Sequence, residues 1–135
     1  ATIAIDVAAS QLYNATTQRY TVDGKSLTTN ELLAWYLELT ERYPISSIED
    51  GLNENDWTGW ERMVELLGDK VLIVGDDLFA TNPERIWAGI ERNAANAVVI
   101  KPNQIGTVTE TLQAIKLCEE NGVPVIVSHR SGETN

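Results

Sequence analysis

The chain has 135 residues, 43% of them hydrophobic, and carries a formal net charge of -10. That length suits one domain with a real core. The acidity argues against nucleic acid and anionic membranes as partners, since phosphate binding by side chains needs clustered Lys and Arg, while a phosphorylated metabolite held through a metal stays open.

Cys118 is the lone cysteine, so an internal disulfide is excluded and a reducing compartment, the cytoplasm, is expected. It falls in an apolar helical pattern, as a buried inert thiol does. No signal peptide, lipidation motif or bilayer-length apolar run is visible, so membrane insertion is not expected.

The first element is a short β-prone run, Ile3-Ala4-Ile5, ending on Asp6. A polar excursion follows from Asn14 to Lys25, with Tyr20-Thr21-Val22 as a short strand before a turn at Asp23-Gly24. Thr28 and Glu31 form a capping box, and Leu32, Leu33, Tyr36 and Leu37 recur at helical spacing until Pro44. Ile45-Ser46-Ser47-Ile48 then leads to Glu49. Asp56 is placed to cap a helix bearing Trp57, Trp60, Met63, Val64 and Leu67, with the two tryptophans as core or helix-packing residues and Gly68 left-handed after its end.

The third run, Val71 to Gly75, ends on Asp76-Asp77. Asn82-Pro83 opens a helix with Ile86 and Ile90 on its apolar face and Trp87 as a candidate to extend it. Ala97-Val98-Val99-Ile100 ends on Lys101. Thr107 and Glu110 make a second capping box before Val108, Leu112, Ile115 and Cys118, and Gly122 ends that helix. Val125-Ile126-Val127 leads through Ser128 to His129-Arg130-Ser131. Strands alternating with helices over short connections predict an α/β fold with a parallel sheet.

Every run ends on ionisable residues. Such a residue escapes burial and points into the crevice at the carboxyl ends of the strands, where parallel sheets place their chemistry. Asp6, Glu49 and Asp76 offer three carboxylates from successive strand ends. They are either separate capping or solvated acids, or the hard-oxygen ligands of a cation such as Mg²⁺. Three in consecutive strands favour the metal. Lys101 is either a structural partner of Asp76 or Asp77, or a general base whose proton affinity a cation lowers. Asp50 and Asp77 are expected to turn away as supporting groups. Arg130 and Ser131 suit a phosphate, and a single His129 is more often a structural donor than a catalyst. The sequence holds no Walker loop, dinucleotide fingerprint, zinc helix or serine elbow.

In these motifs the chain closely resembles enolase of the bacterial type. The resemblance is carried by Ile5-Asp6-Val7-Ala8-Ala9-Ser10, Ser47-Ile48-Glu49-Asp50-Gly51-Leu52, Val74-Gly75-Asp76-Asp77-Leu78, Asn103-Gln104-Ile105-Gly106-Thr107 and Ser128-His129-Arg130-Ser131-Gly132-Glu133-Thr134. It implies a (β/α)8 TIM-type barrel, of which residues 1–135 make about half. It further implies a glycolytic lyase that dehydrates 2-phosphoglycerate to phosphoenolpyruvate. On that likeness Asp6, Glu49 and Asp76 hold Mg²⁺, Lys101 is the catalytic base, and Lys101, His129, Arg130 and Ser131 meet the substrate.

The resemblance also implies what is lacking: an N-terminal α/β domain, the early barrel segment with a glutamate general acid, and the final strands with a second lysine. Pro102 stands where the family usually has another residue and holds Lys101 extended. Two readings follow. One is an enolase with only part of its active site in these residues. The other is a catalytically incompetent half-barrel that self-associates through open sheet edges as a homo-oligomer. A cell-surface role, of the kind known for enolases, has no specific support in the sequence.

Overall fold

The computed structural model describes residues 1–101 and 108–127. Five parallel strands form one sheet: β1 (Ile3–Asp6), β5 (Ile45–Glu49), β6 (Leu72–Gly75), β7 (Ala97–Ile100) and β8 (Val125–Val127), in that spatial order. Between β1 and β5 lie a short 3-10 turn (Ala9–Leu12), a small antiparallel sheet and helix α1 (Thr29–Arg42). Helices α2 (Trp57–Leu67), α3 (Pro83–Arg92) and α4 (Val108–Glu120) make the later crossovers. The strand order never reverses. A doubly wound sheet would reverse it at a switch point, whereas a barrel wall adds each strand beside the last. Among the described residues the sheet does not close on itself.

The sheet has two unlike faces. Ile48, Ile73, Val98 and Ile100 join the main core with Leu33, Trp60, Met63, Ile86 and Ala114 from the helices. Val74, Ala97 and Val99 form a separate cluster on the other face. Strands buried on both faces read as continuous apolar runs, which is why β7 is four apolar residues without alternation. Leu72 and Ile126 stand partly exposed on that second face, by their register with Ser47 and Val99.

The helix termini follow the sequence signals closely. Thr28 and Glu31 exchange both bonds of a capping box. Asp56 accepts from Gly59 N–H at 3.1 Å and from Thr29 Oγ1 at 2.7 Å. Asn82 caps α3 with Pro83 in its first turn. The expectations for Gly68, for the apolar face of α4 and for Trp87 need correction. Gly68 is right-handed, φ -61°, because the chain continues into another turn in which Lys70 and Val71 donate to Leu67 O. The two tryptophans of α2 pack as expected: Trp60 is fully in the core, and Trp57 is partly buried against it, with the guanidiniums of Arg85 and Arg92 5.0 and 5.4 Å from its ring. The buried stripe of α4 is Thr111, Ala114 and Cys118, leaving Val108 and Leu112 exposed; Trp87 is exposed too.

The excursion before α1 is a three-stranded meander: β2 (Tyr13–Asn14), β3 (Arg19–Val22) and β4 (Lys25–Leu27). Asp23 and Gly24 both have positive φ, the signature of a tight hairpin turn whose twist matches its strands. Tyr20 is fully buried, and its hydroxyl accepts Asn53 N–H at 2.7 Å, tying the meander to the loop after β5. No helix among the described residues is long and apolar enough to cross a membrane.

Candidate active site

Parallel register places the charged residues. Asp6 pairs with Glu49, and Glu49 pairs with Val74, so their side chains share a face. Asp76 lies two residues beyond Val74, on that face again. Val74 pairs with Ala97, and Val99 and Lys101 follow at steps of two. Asp6, Glu49, Asp76 and Lys101 therefore share the face opposite the helices, at the carboxyl ends of adjacent strands.

Backbone bonds extend the ladder beyond the strands. Val7 donates to Glu49 O, Ala9 to Asp50 O, and Asp50 to Val74 O, at 2.9–3.0 Å. Asp6 Oδ1 accepts Ala8 N–H at 3.2 Å. Lys101 Nζ donates to Asp76 Oδ2 at 2.5 Å, with both side chains largely buried. The other oxygen, Asp76 Oδ1, is buried with no hydrogen-bond partner among the described residues.

Asp50 is closer to this chemistry than strand alternation suggests. Its backbone is left-handed, φ 48°, which breaks the alternation and returns the carboxylate to the site. It is 4% exposed and accepts the N–H groups of Asp76 at 2.8 Å and Asp77 at 2.9 Å. Carboxylate oxygens of Asp6, Glu49 and Asp50 lie within 4.8 Å of one another, and so do those of Asp50, Asp76 and Asp77. The anticipated trio is thus linked through Asp50 rather than gathered as one tight set. Only the Asn/Asp tolerance of left-handed backbone could have signalled this from sequence.

The crowding is visible in proton affinities. Glu49 is pushed up to about 7, first by burial, then by the charges of Asp6, Asp76 and Asp50. Asp50 is pushed up to about 6, mainly by burial, while the N–H groups of Asp77 and Asp76 pull it back. For Lys101, burial lowers proton affinity, but the hydrogen bond and charge of Asp76, with Asp77 and Glu49, outweigh it and raise the net value. Protein groups alone thus hold an ammonium against repelling acids. A divalent cation fits this set: it would relieve the repulsion, engage the orphaned Asp76 oxygen and weaken the grip on the lysine proton. His129, Arg130 and Ser131 lie outside the described residues, as do Pro102 and the capping box at Thr107.

A singly wound parallel sheet with acids and a lysine at its carboxyl ends is a stretch of TIM-barrel wall. The model of the family "Enolase, C-terminal TIM barrel domain" matches residues 1–135, and the chain belongs to that family. It is 53% identical over 133 residues to an enolase of Natranaerobius thermophilus, an alignment covering 98% of this chain and 31% of that enolase. The chain therefore spans about a third of the length of that curated relative.

Proposed function

We propose that these residues supply part of an enolase active site, a lyase that converts 2-phosphoglycerate to phosphoenolpyruvate and water in glycolysis. The observation that carries this reading is the contact of Lys101 Nζ with Asp76 on the face that also bears Asp6 and Glu49, in a chain of this family. Asp6, Glu49 and Asp76 would hold Mg²⁺. When bound, the ion supplies positive charge against the substrate carboxylate as negative charge develops there.

Lys101 Nζ, as the neutral amine, takes the proton from the carbon alpha to that carboxylate. Asp76 orients the amine and receives the ammonium that results, through the contact it already makes. Arg130 and Ser131 suit the phosphate, through a fork of donors and a hydroxyl, and His129 is a further candidate to meet the substrate. By the resemblance, the general acid for the departing hydroxide belongs to a barrel segment that these residues do not carry. A small phosphorylated substrate in the cytoplasm is consistent with the acidity and lone thiol of the chain.

Solvent exchange tests the base directly. In deuterated water, the full-length protein should exchange the alpha proton of 2-phosphoglycerate, and Lys101→Ala should lose at least about 10²-fold of that rate. Exchange by Lys101→Ala at the parental rate would defeat the assignment. A second reading, that the 135 residues alone are catalytically incompetent and self-associate, is favoured by the unpaired outer edges of β1 and β8 among the described residues.

A further inference from the structure

The connection from β6 to α3 contains an unusual stretch of backbone. Ala80 and Thr81 are both left-handed, with φ of 47° and 55°. Neither is glycine, and a β-branched residue is strained there more than most. Such strain persists only where its surroundings over-determine it, and it gathers at functional sites. Thr81 is also fully buried, and its Oγ1 accepts the backbone N–H of Lys101 at 2.9 Å.

The bond has a definite geometric role. Val98 N–H donates towards β8, to Pro124 O at 3.0 Å. Backbone donors alternate sides along a strand, so the N–H of Lys101 faces the β6 side. There β6 has already ended, since its pairing with β7 stops at Gly75 and Val98. The hydroxyl of Thr81 stands in for the strand that is no longer present. At the start of the same loop, Asp76 takes the Nζ of Lys101. One loop therefore grips the lysine twice, at its side chain and at its backbone.

We propose that Thr81 is a positioning residue for Lys101: its hydroxyl, held in a strained loop, fixes the backbone point from which the lysine reaches Asp76 and the substrate carbon. This inference rests on the reading of Lys101 as the base. Thr81 itself touches no reacting atom. Its loss displaces the amine by a fraction of an ångström to an ångström, which impairs proton transfer more than substrate binding.

The experiment compares Thr81→Val, Thr81→Ala and Thr81→Ser in the full-length protein, with Lys101→Ala alongside. Valine keeps the shape without the acceptor, and serine keeps the acceptor without the branch. The valine and alanine variants should lose about 10- to 100-fold in kcat with KM almost unchanged, and serine should restore most of the rate. Parental kcat in either, a loss confined to KM, or a serine variant as impaired as valine overturns the inference. Circular dichroism checks folding; if valine does not fold, alanine decides, and failure of both makes the hydroxyl merely structural and defeats the proposal. Lys101→Ala retaining alpha-proton exchange sinks the functional reading instead. Loss of exchange there, with fully active Thr81 variants, sinks this inference alone.

Discussion

Asp50 shows how much one side chain can organise. It anchors the start of the loop after β6 by accepting two successive backbone N–H groups, and it belongs to both acidic clusters. Removing it strands those donors in a buried place. Asp50→Ala should therefore cost about 2–4 kcal/mol of folding stability, read as a lowered thermal midpoint. Asp50→Asn keeps an acceptor oxygen and tolerates the left-handed backbone, so it should melt close to the parent. Equal destabilisation in the two variants would show that hydrogen bonding to Asp76 and Asp77 is not what Asp50 provides. The role was hidden in the sequence because alternation is a rule for strands, and Asp50 has just left one. By contrast, the placement of Asp6, Glu49, Asp76 and Lys101 on one face was legible, because each closes an apolar run and parallel register does the rest.

Among the elements, the junction of β6 with α3 is closely packed. The ring of Phe79 is wedged between two glycines: a Cβ on Gly75 would meet Phe79 Cε2 at 2.5 Å, and one on Gly89 would meet Cζ at 2.8 Å. Alanine for glycine within a helix ordinarily gains up to about 1 kcal/mol. Here Gly89→Ala should instead lose about 1–2 kcal/mol, since overpacking a filled core outweighs that gain. Adding Phe79→Leu should recover part of the loss, a coupling that thermal melts of the double-mutant cycle would reveal. A stabilised Gly89→Ala variant would contradict the close packing. The elements most legible from sequence were those with chemical punctuation, such as Thr28 with Glu31 and Asn82 with Pro83. β2 and β4 were not, because strands of two and three residues are too short to show an apolar period. Gly68 misled for a related reason: glycine permits a left-handed turn without requiring one.

At the scale of the molecule, the described sheet leaves the outer sides of β1 and β8 unpaired and Leu72 and Ile126 uncovered on its inner face. Prepared as these 135 residues, the chain should associate, since a second copy can pair edges and cover that face. Its net charge of -10 opposes this, but repulsion between surface charges is screened beyond about 8 Å at physiological salt. Light scattering should find a dimer or larger species; a folded monomer persisting at high concentration would refute the expectation. The unbroken order of the strands has a separate consequence, for biosynthesis. Each strand's partner in the sheet is also the next sheet strand along the chain. During translation, β5 can dock on β1 before β6 leaves the ribosome, and each later βα unit finds its template already in place. The groups gathered at the strand ends then arrive in the order of synthesis, Asp6 and Glu49 before Asp76, and Lys101 last into a cradle of acids that is already built.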